Sequence, residues 1–96
     1  MILSEPVMTV SHNVLASTPA ISLGLREGTR AVLIKNLGGV VAYARSLQLG
    51  GTAAAAAGSI YIPGVVGAEI PLYVGAGEAI SFFCATSTLL EVTEVS

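Results

Sequence analysis

The sequence predicts a small all-β protein, either an antiparallel β-sandwich or a jelly-roll-like barrel, built from about eight short strands. Short apolar runs in which large side chains alternate with small or polar ones recur along the chain, and this is the period of half-buried strands. Turn residues separate these runs, and no helix-period segment is long enough to serve as a crossover, which favours antiparallel sheets. The 96 residues indicate one domain, in which residues 1–5 could form an extended arm.

Taken in order, the predicted strands are 6–14, 20–25, two arms within 30–49, then 59–62, 69–74, 79–85 and 89–95. The two arms are predicted to form a β-hairpin, because the turn signal Asn36-Leu37-Gly38-Gly39 separates two apolar runs. Pro71 cannot donate to a hydrogen-bond ladder, which predicts an edge position for its strand. The residues predicted to form the core are Ile21, Leu23, Val32, Ile34, Ile70, Leu72, Ile80, Phe82, Leu90 and Val92.

The sequence also predicts the inward face of the second hairpin arm and two possible structures for the segment after it. In the second arm the large residues Val41, Tyr43 and Leu47 share one face, so Tyr43 is predicted to point into the core. The following segment, 50–59, is almost entirely alanine and glycine and is too short for an unaided helix. It is expected to be a flexible surface loop or a flat strand that lets another backbone approach closely.

Composition points to association with another protein. Hydrophobic residues make up 53% of the chain and charged residues only 10%, so a chain this short should leave apolar surface for a partner. The longest uncharged stretch, 46–68, is rich in glycine and alanine and contains Pro63, which argues against a membrane helix. The N-terminus lacks the basic residues of a signal peptide, and the scattered cations make no stripe for nucleic acid.

The chain offers few residues for catalysis. It has one histidine, one cysteine and no aspartate, so neither a Ser-His-Asp triad nor a clustered metal site is expected. His12 and Cys84 could in principle form a thiolate pair, but both fall on faces predicted to point inward. The favoured interpretation makes Cys84 an unreactive core residue and His12 a core-edge residue bonded to backbone. No enzyme activity, cofactor or metal is expected.

Several motifs from about residue 29 to the C-terminus occur in the order found in a known class of proteins. They are the run Val32-Leu33-Ile34-Lys35-Asn36-Leu37-Gly38, a small-residue loop, Ile62-Pro63-Gly64, Ile70-Pro71-Leu72 and Leu90-Glu91-Val92-Thr93-Glu94. This order resembles small virion proteins of tailed bacteriophages. The resemblance implies a compact β-sandwich that decorates or cements a capsid, or a small module of a tail or fibre. It supplies no catalytic or ligand-binding residues.

The expected function is therefore that of a non-enzymatic virion structural protein, a capsid decoration or cement protein that stabilises the phage head. The alternatives are a tail, fibre or glycan-binding module of the particle and, more remotely, a small enzyme. The expected partners are further copies of the chain, as a homotrimer, and the major capsid or another virion protein, with no nucleic acid, membrane or small-molecule substrate. The expected location is the capsid surface, after synthesis in the bacterial cytoplasm. Candidate interface residues are Leu33, Tyr61, Tyr73, Ala54 and Ala56.

Overall fold

In the computed structural model, the described residues are 9–47, 59–74 and 79–95, and they form eight β-strands without a helix. The strands are β1 (Thr9–Ser17), β2 (Ile21–Gly24), β3 (Ala31–Asn36), β4 (Ala42–Leu47), β5 (Ile60–Ile62), β6 (Glu69–Tyr73), β7 (Ala79–Phe83) and β8 (Ser87–Val95). No helix within these residues is long and apolar enough to cross a membrane.

The eight strands form two antiparallel sheets of four. The first sheet has the order β1-β8-β3-β6 and the second sheet has the order β2-β7-β4-β5. Along the chain, β1 pairs with β8, β2 with β7, β3 with β6 and β4 with β5, so the pairs are nested inside one another. This nesting is the strand arrangement of a jelly roll. The predicted all-β antiparallel fold is confirmed.

The core lies between the two sheets and is made by the inward-facing residues of both. Its fully buried apolar side chains are Ala16, Val32, Ile34, Ala42, Ala44, Ile62, Ile80, Phe82, Cys84, Leu90 and Val92, and Val14 is nearly so. The other four predicted core residues, Ile21, Leu23, Ile70 and Leu72, are half-buried and pack against this cluster. They lie on the edge strands β2 and β6, where one side of each strand has no neighbour in its sheet.

The predicted hairpin over 30–49 is wrong. β3 belongs to the first sheet and β4 to the second, so the turn after Asn36 carries the chain from one sheet to the other. The local signal for a reversal is real, but β3 takes β6 and β8 as its neighbours instead of β4. A turn motif specifies that the chain changes direction, whereas the choice of partner strand depends on long-range pairing.

The predicted inward face of β4 is also wrong. The buried residues are Ala42 and Ala44, while Tyr43 is half-buried on the outer face of the second sheet. Ala44 lies directly opposite Phe82 in the neighbouring strand β7, and the small alanine leaves room inside for the large ring. Both faces of β4 carry apolar residues, but the face with Tyr43 also carries the charged Arg45, which is exposed, so the size of the apolar residues alone favours the wrong face.

The observed strand limits differ from the predicted ones, whereas the predicted edge position of β6 agrees with the structure. β1 extends to Ser17 and β8 begins at Ser87, and these two residues are paired, although the sequence predicts breaks at both. β6 is an edge strand, which confirms the edge position predicted from Pro71. The predicted arm at residues 1–5 and the alanine segment, including Ala54 and Ala56, lie outside the described residues.

Candidate protein-protein interface

Four loops meet at one end of the sandwich, and this end is the strongest candidate for an interface. They are 18–20, 37–41, 63–68 and 84–86, which follow β1, β3, β5 and β7. We call this region, together with Leu15 and Leu89 beside it, the loop end. None of its residues carries a charge.

Buried Asn36 holds three segments of the loop end together through its side chain. Its Nδ2 donates to the carbonyl oxygens of Val40 at 2.7 Å and Pro63 at 2.9 Å. Its Oδ1 accepts from the Gly39 N–H and from the Thr88 hydroxyl, both at 2.9 Å. Every hydrogen-bonding site of the amide is therefore used, which ties loops 37–41 and 63–68 to the start of β8.

Glycines allow these segments to approach one another closely. A Cβ added at Gly38 would lie 2.2 Å from Thr88 Oγ1 and 2.8 Å from the Leu89 backbone nitrogen. A Cβ at Gly64 would lie 2.8 Å from the backbone nitrogen of Val41. Both positions therefore require the absence of a side chain. The loop end is a closely packed, hydrogen-bonded structure.

The outer surface of the loop end is apolar. Val65 and Val66 are 65% and 70% exposed, and Val40 is also exposed beside them. On the adjoining face of the first sheet, Leu15 and Leu89 lie opposite each other in register and are exposed as well. Single exposed apolar residues are common, but five of them around one uncharged end form a candidate contact surface.

A row of charged residues marks the boundary of this surface. On the outer face of the first sheet, Lys35 lies in register with Glu69 on one side and Glu91 on the other. In β8, Leu89 lies two residues before Glu91 and is therefore closer to the loop end. The surface therefore has an apolar centre and a charged rim along one side, the distribution typical of protein interfaces.

The predicted interface residues do not form one surface. Tyr73 is 83% exposed at the edge of the first sheet, and half-buried Leu33 lies on the outer face of that sheet between Pro71 and Thr93. Tyr61 lies on the outer face of the second sheet. The outward positions predicted for both tyrosines are confirmed, while their role in an interface stays a prediction.

Tyr61 belongs to an aromatic row across the outer face of the second sheet. Its ring meets that of Tyr43 edge-on, with centroids 6.0 Å apart, and Tyr43 is 6.4 Å from Phe83. Tyr61 is 54% exposed, so this row offers a partly accessible ring. The sequence pattern indicates Tyr61, but it predicts the wrong face for Tyr43 and gives no signal for Phe83.

The opposite end of the sandwich contains a buried carboxylate. Glu94 accepts hydrogen bonds from the Arg26 N–H and the Thr29 hydroxyl, each at 2.7 Å, and its second oxygen bonds His12 Nε2. The Arg26 Nε lies 3.7 Å from the carboxylate. His12 therefore bonds a carboxylate, not the backbone as predicted. Glu94 has the same parity in β8 as the core residues Leu90 and Val92, which was the signal that could have revealed its burial.

Burial by itself raises the pKa of Glu94, because it disfavours the charged form. The hydrogen bonds from Thr29, Arg26 and His12, together with the charge of His12, outweigh burial and bring the pKa below its ordinary value of 4.5. The carboxylate thus remains charged and fastens the loop 25–30 to β8. These contacts explain the burial of Glu94 by a structural role.

Cys84 and His12 lie at different ends of the core and do not form a pair. Cys84 is fully buried, its N–H donates to Ser17 O and its thiol donates to Val41 O at 3.4 Å. His12 precedes Ser17 by five residues of β1, which is about 16 Å along a strand. The predicted core position of Cys84 is confirmed. Within the described residues, no group of three or more His, Cys, Asp or Glu side chains could hold a metal ion.

No family model, curated protein or solved structure matches the chain.

Proposed function

We propose that this chain is a non-enzymatic structural protein of a phage particle, a capsid decoration or cement protein that docks on other virion proteins through the loop end. The observation that carries the proposal is the uncharged, exposed apolar surface around Val65 and Val66. The jelly-roll arrangement is used by many viral capsid domains, which agrees with the proposal, although a fold alone does not define a function. The resemblance to phage virion proteins supplies the class of partner.

The physical properties of the loop end suit a cement protein. Asn36 and the glycines already hold the loops in one arrangement, so binding would order few additional groups. No charge at this end would lose its water on docking, and burial of the valines would supply apolar contact. The proposed partner is an apolar surface of the major capsid protein or another virion protein.

The proposal includes the location and the assembly state. The chain would be made in the cytoplasm of the bacterial host and would act on the capsid surface as a symmetric oligomer. The threefold arrangement comes from the resemblance, since capsid decoration proteins commonly occupy threefold positions. Nucleic acid, membrane and small-molecule substrates have no part in the proposal.

The test is co-sedimentation of the tagged chain with gradient-purified phage particles assembled in its presence. We expect the wild-type chain to sediment with the particles and Val65→Glu to remain in solution, because the substitution places a charge at the centre of the apolar surface. Ser22→Glu is the matched control, since it adds the same charge at an exposed site on the second sheet. Equal binding by both variants would disprove docking through the loop end, and no wild-type binding would disprove the virion function.

The aromatic row supports one alternative function, a glycan-binding module of a tail or fibre. Exposed aromatic rings can stack on sugars, and Tyr61, Tyr43 and Phe83 form a continuous row with an exposed end. A glycan array decides this case. Specific binding that is lost in Tyr61→Ala but kept in Val65→Glu would favour the glycan function over capsid cementing.

A further inference from the structure

The four edge strands of the sandwich differ in how well they are protected against pairing with another chain. β5 is three residues long and is followed by Pro63, β2 is four residues long, and β6 contains Pro71. β1 is nine residues long and contains no proline and no Lys, Arg, Asp or Glu. Short length, proline and charge are the usual means of blocking an edge, so β1 is the exception.

Hydrogen bonding in the first sheet shows which backbone groups of β1 face outward. The Leu37 N–H donates to Leu89 O, so the odd-numbered residues of β8 face β3. Because successive residues of a strand alternate in direction, the even residues of β8 face β1 and bond its even residues. The N–H and C=O groups of Thr9, Ser11, Asn13 and Leu15 therefore point to the free edge, where no described strand pairs with them.

The opposite edge of the same sheet shows how this position can be blocked. The even residues of β3 face β6, as the bond from the Asn36 N–H to Ala68 O indicates. In β6 the even residues Ile70 and Leu72 are their partners, so Pro71 stands where an N–H would otherwise face the free edge. In β1 the corresponding outward positions are ordinary residues that can donate.

We propose that β1 pairs with β1 of a second copy of this chain, antiparallel and around a two-fold axis at His12. With the axis at this residue, Thr9 pairs with Leu15 of the second copy and Ser11 pairs with Asn13. All four outward-facing residues of each chain are then bonded, which gives about eight hydrogen bonds across the axis. The two first sheets join into one continuous sheet of eight strands.

The side chains of β1 are compatible with this pairing. The strand has no Lys, Arg, Asp or Glu. At the axis, His12 lies opposite His12 of the second copy, and each bonds Glu94 of its own chain through Nε2. On the outer face, Ser11 would lie beside Asn13 of the second copy, where their polar groups can bond. On the inner face, Val10 would lie opposite Val14 of the second copy and extend the apolar interior across the axis.

A two-fold axis at His12 lets more of the outward-facing backbone groups of β1 form hydrogen bonds than an axis at Asn13 would. With the axis at Asn13, Thr9 would need Ser17 as its partner, but Ser17 O already accepts a bond from the Cys84 N–H. The inference does not depend on the proposed virion function. It favours two-fold contacts, whereas the threefold arrangement rests on the family resemblance.

The first test uses the full chain and two substitutions at one position. Asn13→Pro removes an outward N–H that no described strand uses, at an exposed position, and should leave the fold intact but abolish the dimer. Asn13→Ala keeps that N–H and should remain dimeric. Sedimentation measures the mass against the 9.7 kDa of one chain, and circular dichroism checks strand content. A wild-type monomer at its highest soluble concentration, or a dimer that survives Asn13→Pro, would overturn the proposal.

The second test reads the register by disulfide formation under mild oxidation. A mixture of Ser11→Cys and Asn13→Cys chains should cross-link, because paired Cα atoms lie about 5.5 Å apart, within disulfide range. Each variant alone should cross-link far less, because its own cysteines would be displaced by two residues, at about 7–8 Å. Efficient cross-linking by Asn13→Cys alone would place the axis at Asn13 and overturn this register. Buried Cys84 should not contribute.

Discussion

Replacement of Asn36 by alanine should destabilise the protein strongly, because this one side chain joins three segments. The substitution removes four hydrogen bonds of 2.7 to 2.9 Å, to Val40 O, Pro63 O, Gly39 N–H and the Thr88 hydroxyl. Each such bond contributes about 0.5–1.5 kcal/mol net, and a buried group left without a partner costs about 1–3 kcal/mol. Water can reach the part-buried members of the set, which reduces the second contribution.

The expected loss is therefore about 3–5 kcal/mol of the free energy of unfolding, a large share of the roughly 5–15 kcal/mol that a domain of this size has. Urea unfolding followed by circular dichroism measures it. Asn13→Ala is the matched control, since this asparagine is exposed and its loss should change stability by less than about 0.5 kcal/mol in dilute, monomeric protein. A loss below about 1 kcal/mol for Asn36→Ala would refute the view that the amide holds the loops together.

Three further predictions concern other features of the fold. Gly38→Ala should destabilise markedly because its Cβ would lie 2.2 Å from Thr88 Oγ1, whereas Gly28→Ala has nothing within 4 Å and should be nearly neutral; thermal unfolding compares them. Because folding lowers the pKa of Glu94, its ionised carboxylate stabilises the folded state fully above pH 4.5, and this stabilisation is lost as the pH falls through the lower pKa of the folded state. Acid unfolding should therefore be less steep in Glu94→Gln. Cys84 should react with a thiol reagent only after unfolding, and rapid labelling of the native protein would contradict its buried, unreactive role.

Local pattern was sufficient to predict the strands and most of the large apolar side chains of the core. Alternation in β3, β7 and β8 identified Val32, Ile34, Ile80, Phe82, Leu90 and Val92, all of which are fully buried. In these strands the inward set is large and apolar. The pleat then leaves little choice of face, because reversal would expose the whole set to water.

The candidate interface was predicted only in part. The sequence indicated exposed tyrosines, and Tyr61 and Tyr73 are exposed. It did not indicate Val65 and Val66, because a loop carries no periodicity to predict which side chains point outward. Val66 lies against Gly39, and this approach depends on loops that are far apart in sequence and meet only after the sheets form.

What the amino-acid sequence determined by itself is the list of short strands, the antiparallel class and the apolar excess. Tertiary structure decided which strands pair and which face of β4 turns inward. Asn36 and Gly38 signalled a reversal, but the pairing of β3 with β6 and β8 converted that reversal into a crossing between sheets. In β4 the face with Tyr43 also carries Arg45 and turns outward, whereas the small Ala44 lies inside opposite Phe82, where it leaves room for the ring. Strand pairing and core volume depend on residues distant in sequence, and a local pattern carries no information about that geometry.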